Sequence, residues 1–174
     1  MHTNAYTCIH IYIYIYSCVP SQRIINKSSP ILTSKCRKNE AEISGMRASH
    51  LRDGAALCEF FAYLEEYVCI HRKNISEFDI SLLVDKFRSS LSENISINSD
   101  DDNKNMNMYI SPSFDTIAGV NDNAAVIHYK PQEHTCSNLS SNDLLLLDSG
   151  GQYVDGTTDI TRTVHMGIPS KKQV

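Results

Sequence analysis

From Asn39 onward, apolar residues return at three- and four-residue steps: Ile43, Met46, Leu57, Phe60, Phe61, Leu64 and Val68. That period places them on one face of an amphipathic helix. Asn39 followed by Glu42 supplies an N-cap with its capping-box partner. The weak point of this helix is His50–Gly54, where Gly54 costs about 1 kcal/mol relative to alanine. A second helix is announced by Ser76 with Asp79, with Ile75 and Ile80 as a hydrophobic staple. Its core stripe is Ile80, Leu83, Val84, Phe87 and Leu91. Ser92 to Tyr109 then turns polar and rich in Asn and Asp, the pattern of a long loop.

Extended segments follow. Phe114–Ala118 and Ala124–Tyr129 are short candidate strands bounded by Gly119, Asn121–Asn123 and Pro131. Leu144–Val154 and Thr157–Met166 flank Asp155-Gly156, a two-residue hairpin signal. Helices first and antiparallel strands after them predict an α+β domain.

Residues 1–37 break this pattern. They contain no Asp or Glu, and their IYIYIY core is apolar on both faces, with no alternation to set a register. Ile-Tyr alternation is what an AT dinucleotide repeat encodes, so the segment reads as a low-complexity, unstructured leader of mistranslated sequence. The expected organisation is therefore this leader and a domain over 38–174 with a polar loop at 92–109.

Composition narrows the function. Sixteen Lys and Arg against twenty Asp and Glu, a formal charge of -4, leave no basic footprint for nucleic acid. No apolar run approaches the ~20 residues a membrane-spanning helix needs. The six cysteines form no CxxC or zinc-like spacing. Scattered reduced thiols in a cytoplasmic protein are the expectation.

The candidate chemistry lies in LLLLDSGGQYVDGTTDITRT, Leu144 to Thr163. Asp148 ends an apolar run, and a carboxylate there is expensive to bury unless a positive or donor group meets it. Ordinary structural roles exist for both aspartates: Asp148 capping the Ser149–Gly151 amides, and Asp159 pairing with Arg162. Two registers are open. An ideal Asp155-Gly156 hairpin sets Val154 opposite Thr157 and Gln152 opposite Asp159, leaving Asp148 about 13 Å from the latter pair. If Asp148 instead faces Asp159, their Cα atoms stand roughly 4.5–5.5 Å apart. Ser149–Thr158 is then a distorted connection, with Gly150, Gly151 and Gly156 supplying a permissive backbone. Only this second register makes a metal site.

The block DSGGQYVDGTTDITRTVHMG, with Lys38–Glu66 and Ser113–Tyr129 upstream, resembles the Xaa-Pro aminopeptidases. These belong to peptidase family M24, the creatinase/methionine-aminopeptidase superfamily with the pita-bread fold. The resemblance covers about residues 38–172 and implies the N-terminal half of a pita-bread catalytic domain, incomplete at its C-terminus. It implies that Asp148 and Asp159 are ligands of a two-metal centre, usually manganese, and so favours the facing register. It also implies that His128 contacts substrate beside the metals. Hard carboxylate oxygens suit manganese-like ions, and two such ions ~3.5–4 Å apart activate water and polarise a scissile carbonyl. A bond to proline lacks an N–H, a handle that metal-assisted hydrolysis does not need. The implied substrate is a peptide with proline at its second position, in a cytoplasmic enzyme that forms a homodimer when complete.

Departures from the family pattern are Asn121–Asn123 in place of a Gly-Pro-Asn turn, and Gly151 in place of alanine. The family centre also takes a His and two Glu from later strands. His165 is too near Asp159 to be that histidine, and no Glu follows Asp159. The 174-residue chain is therefore expected to bind metal weakly and to lack activity as a truncated fragment, with no catalytic residue assigned. A prolidase-like enzyme, a non-catalytic peptide- or histone-binding homologue, and a product without independent function are the other readings.

Overall fold

The computed structural model describes residues 17–20, 23, 27–97, 108–171 and 173; within 91–97 it describes the backbone only. The chain divides into two compact units, Met1–Lys38 and Asn39–Val174. The described residues of the first include a short helix, α1 (Pro30–Lys35), whose N-cap Ser29 accepts a hydrogen bond from the Ile31 N–H. The IYIYIY stretch lies outside the described residues.

The second unit opens with α2 (Glu40–Glu65), which a π-helical turn extends over Glu66–Ile70. Its start is the expected capping box. Asn39 Oδ1 accepts from the Glu42 N–H at 2.9 Å, and Glu42 Oε2 accepts from the Asn39 N–H at 2.8 Å. The helix runs through His50–Gly54 without a break. Strand β1 (Ile75–Ser76) leads into α3 (Glu77–Ile97), where Ser76 Oγ accepts from the Asp79 N–H. This helix continues six residues into the stretch expected as loop, and Tyr109 at its far end already belongs to a strand.

The remaining strands are β2 (Tyr109–Pro112), β3 (Ile117–Val120), β4 (Asn138–Leu139), β5 (Leu144–Ser149), β6 (Gly151–Tyr153) and β7 (Ile160–His165). Three antiparallel groupings result: β1 with β4, β2 with β6, and a sheet ordered β3-β5-β7. The strand expected over Phe114–Ala118 thus begins later, at Ile117. The strand expected over Ala124–Tyr129 is absent. Asn121–Ala125 forms a 3₁₀ turn instead, and Val126 and Ile127 are exposed with no pairing strand. Propensity favoured extension there, but without a neighbouring strand an extended segment has no ladder to join.

Helices α2 and α3 cover one face of the sheet. Leu57, Phe60, Leu64, Val68, Ile80 and Val84 pack against Ala118, Val120, Leu145 and Leu147. Phe60 meets Phe87 edge-on, with ring centroids 5.8 Å apart. Because side chains alternate along a strand, β5 sends Leu145, Leu147 and Ser149 into this core. Leu144, Leu146 and Asp148 take the other, half-buried side. Among the described residues, no helix is long and apolar enough to cross a membrane.

Candidate metal centre

The end of β5 is set by two neighbours. Asp148 lies opposite Ile117 on β3 and opposite Thr161 on β7. This ladder runs from Leu144 opposite His165 to Ser149 opposite Ile160, and beyond it Gln152 bridges to Thr157. All these pairs share one register, so Leu144–His165 is a single long hairpin that bends between Ser149 and Gly151.

Neither expected register is the observed one. The pairing falls midway between them, two residues from each, and the hairpin tip is Val154–Asp155, one residue earlier than expected. Tyr153 and Gly156 close it through a Tyr153 N–H to Gly156 carbonyl bond of 2.8 Å. The tip sits there because α2 holds it. Asp155 pairs with Arg52, and a Cβ on Gly156 would lie 2.3 Å from Ser49 Oγ. The glycines act by smallness: no described glycine has a positive φ. A Cβ at Gly150 would meet the Thr158 carbonyl oxygen at 2.0 Å. The arms stay together past Gly150, where the Thr158 N–H donates to the Gly151 carbonyl at 2.9 Å, and β6 also pairs with β2.

The shared register keeps Asp148 and Asp159 on one side of the hairpin, since Asp159 precedes Thr161 by two residues. They are diagonal neighbours, a relation that sets Cα atoms about 7–8 Å apart in a regular ladder. Asp148 is half-buried and accepts a 2.8 Å hydrogen bond from Thr161 Oγ1 onto Oδ1. It does not cap the amides that follow it. Asp159 is exposed, and Arg162 turns to the Thr161 carbonyl instead. His128 lies on an exposed turn with φ 54°, not at a strand end. Among the described residues, no three His, Cys, Asp or Glu side chains gather where they could hold an ion. The donor chemistry still suits a hard divalent ion, because two carboxylates share one end of an open sheet face and one Asp148 oxygen has no described donor. His165 closes β7, where its Nδ1 accepts from the Gly167 N–H.

Behind this end of β5 lies a buried polar cluster that hydrophobic periodicity does not reveal. Arg88 on α3 donates from Nε to Asp53 Oδ1 at 2.6 Å and from Nη2 to Ser149 Oγ at 3.1 Å. Tyr153 OH donates to the same Asp53 oxygen at 2.8 Å. All four side chains are at most 2% exposed. Burial, reinforced by the Asp53 carboxylate, pushes the Tyr153 hydroxyl well above its usual range. The one available signal was the interruption at His50–Gly54, where a charge falls on the apolar face of α2.

A second buried carboxylate, Glu77, begins α3. Its oxygens accept from the Val120 N–H at 2.6 Å, the Ser137 N–H at 2.8 Å and Tyr129 OH at 2.7 Å. Asn123 Nδ2 adds contacts of 3.0 and 3.1 Å. Burial first, and then the bond to Glu77, raise Tyr129 to about 12. The Asn121 substitution is accommodated in kind: with φ 50°, it accepts from the Leu144 N–H and donates to Asp143.

Comparison with known proteins decides the family. Residues 44–174 match metallopeptidase family M24. The chain belongs to that family. Aminopeptidase P2 of Arabidopsis thaliana is 46% identical over 150 residues, which are 86% of this chain and 19% of that protein. Xaa-Pro aminopeptidase 1 of Dictyostelium discoideum is 38% identical, over 92% of this chain and 23% of its own length. Among solved structures, the X-prolyl aminopeptidase of Caenorhabditis elegans superposes with a TM-score of 0.72 at 38% identity. That alignment covers 90% of this chain and 23% of the other, a protein described as a cytosolic enzyme with a di-nuclear active site. The M24 chain thus has the helix-and-sheet arrangement of part of the pita-bread fold, and it spans about a fifth to a quarter of these relatives.

Proposed function

We propose that the M24 chain supplies Asp148 and Asp159 to a two-metal aminopeptidase that releases an N-terminal residue preceding proline. One observation carries this reading: two carboxylates stand at one end of the open sheet face, on a hairpin whose sequence matches Xaa-Pro aminopeptidases. Asp148 would hold an ion through the oxygen that Thr161 leaves uncovered, and Asp159, solvent-facing and diagonal to it, would complete the protein's share from this hairpin. The carboxylate donor set suits hard divalent ions, Mn²⁺ among them, and Mn²⁺ is the ion we assign. When bound, a pair of such ions activates water and polarises the scissile carbonyl. Thr161 keeps the Asp148 carboxylate in place, and the open face admits the peptide. His128, exposed on its turn, is the residue we assign to substrate contact. A cytoplasmic location and a homodimer of the complete protein belong to the same reading.

The test is Mn²⁺ titration followed by electron paramagnetic resonance, together with cleavage of Ala-Pro-Ala by the complete protein. Asp148→Asn and Asp159→Asn should each weaken Mn²⁺ binding at least about tenfold, since loss of a group that merely supports a ligand already costs that order. Unchanged Mn²⁺ affinity in both variants would sink the assignment.

A further inference from the structure

Glu77 is 0% exposed and has no cation beside it in its hydrogen-bond set. A buried carboxylate without a counter-charge is costly unless donors surround it. Here the first turn of α3 contributes its favourable dipole end, and the donors are all neutral. They come from the end of β3 (Val120), from the 3₁₀ turn (Asn123), from Tyr129 and from the approach to β4 (Ser137).

Those donors bracket His128. Asn123 stands five residues before it and Tyr129 directly after it. Asn123 Nδ2 also lies 3.1 Å from Tyr129 OH, and the Tyr129 N–H returns to the Val126 carbonyl at 3.2 Å. The segment between them has no strand partner. It leaves Val126 53% and Ile127 86% exposed and sets His128 in a left-handed conformation, φ 54°. Positive φ is uncommon for a residue other than glycine, although histidine tolerates it better than most; here the bonds on either side of His128 frame the turn and hold it in that conformation. The one group common to both ends of the frame is the Glu77 carboxylate.

We infer that Glu77 is a positioning residue, which through Asn123 and Tyr129 holds the exposed His128 turn in the geometry that meets a peptide substrate. The inference rests on the assignment of His128 to substrate contact. A purely structural Glu77 would matter for folding and leave peptide affinity alone.

Glu77→Gln is a harsh probe. Either placement of its amide sets an NH₂ against a backbone N–H, that of Val120 or that of Ser137. Tyr129→Phe is milder, since it deletes one donor and leaves Val120, Asn123 and Ser137 in place. Binding of Ala-Pro-Ala to the full chain is followed through the peptide's own proline resonances by NMR, with thermal unfolding recorded in parallel. Tyr129→Phe should weaken binding roughly three- to tenfold, the worth of one net hydrogen bond, with His128 resonances broadened. His128→Ala should weaken it as well, and the double variant should bind no worse than His128→Ala alone, because both act through one group. Binding that is unchanged in Tyr129→Phe, or additive losses in the double variant, would overturn the positioning role. Binding that His128→Ala leaves unchanged would overturn the His128 assignment itself, and the inference with it.

Discussion

The two sides of strand β5 are built from adjacent residues and obey different rules. Leu145 and Leu147 are 0% and 2% exposed beneath the helices, and Ser149 beside them is held by the Arg88–Asp53 pair. Leu144, Leu146 and Asp148, one step along, face a half-open surface where the carboxylate has only a threonine hydroxyl as its described partner. The closed side spends its polar groups on internal satisfaction. The open side leaves its carboxylates with spare capacity, which is what a ligand requires. The proposed binding chemistry would therefore sit on a strand whose other side is packed against the helices.

That contrast can be broken first from the closed side. Removing one member of the buried pair, by Asp53→Ala or Arg88→Ala, strands a charge and should cost about 3–5 kcal/mol in urea unfolding. The double change Asp53→Leu with Arg88→Met should recover most of that loss, because the charge is then gone from both partners. Next, Leu147→Ala should destabilise by about 2–5 kcal/mol. Leu146→Ala, its immediate neighbour on the open side, should cost clearly less; equal losses would contradict the two-sided description. Gly54 lies in mid-helix with no atom within 4 Å of an added Cβ. Gly54→Ala should accordingly raise stability by up to about 1 kcal/mol.

The open side should respond in the opposite sense. Asp148→Asn should change unfolding stability by no more than about 0.5 kcal/mol, as expected of a substitution outside the core, while Mn²⁺ binding weakens at least about tenfold. The smallest effect concerns Asp143 near the base of the hairpin. Burial alone would raise its carboxyl, but the Ser140 hydroxyl and N–H, Asn121 and His165 together hold it below its usual range. A depressed folded value stabilises at pH above the unfolded value and is lost as pH falls through the folded one. Asp143→Asn should therefore flatten the acid limb of the stability profile slightly and leave stability relative to the parent highest at low pH.

Much of this architecture was legible along the chain. The capping box at Asn39 and Glu42, the α3 start at Ser76, and the core stripes through Phe60, Leu64, Ile80 and Val84 follow from local geometry and period. The metal-ligand candidates were legible through the match of Asp148, Asp159 and their spacing to a known family. What failed was non-local. Ala124–Tyr129 has strand-forming residues, yet no strand lies beside it, and Glu77 claims its flanking groups instead. The hairpin tip lies one residue from Asp155-Gly156 because Arg52, forming an ion pair across 103 residues of sequence, claims Asp155.

By itself, then, the order of residues determined the helices, their buried faces, the presence of a hairpin and the identity of its two carboxylates. Each of these depends on contacts within a turn or two of chain. Only the tertiary structure decided the register that makes Asp148 and Asp159 diagonal neighbours. It alone decided that Asp53 and Glu77 are buried and that His128 stands on an exposed left-handed turn. Those outcomes depend on which distant groups a carboxylate can reach, and that is set by how the helices pack on the sheet.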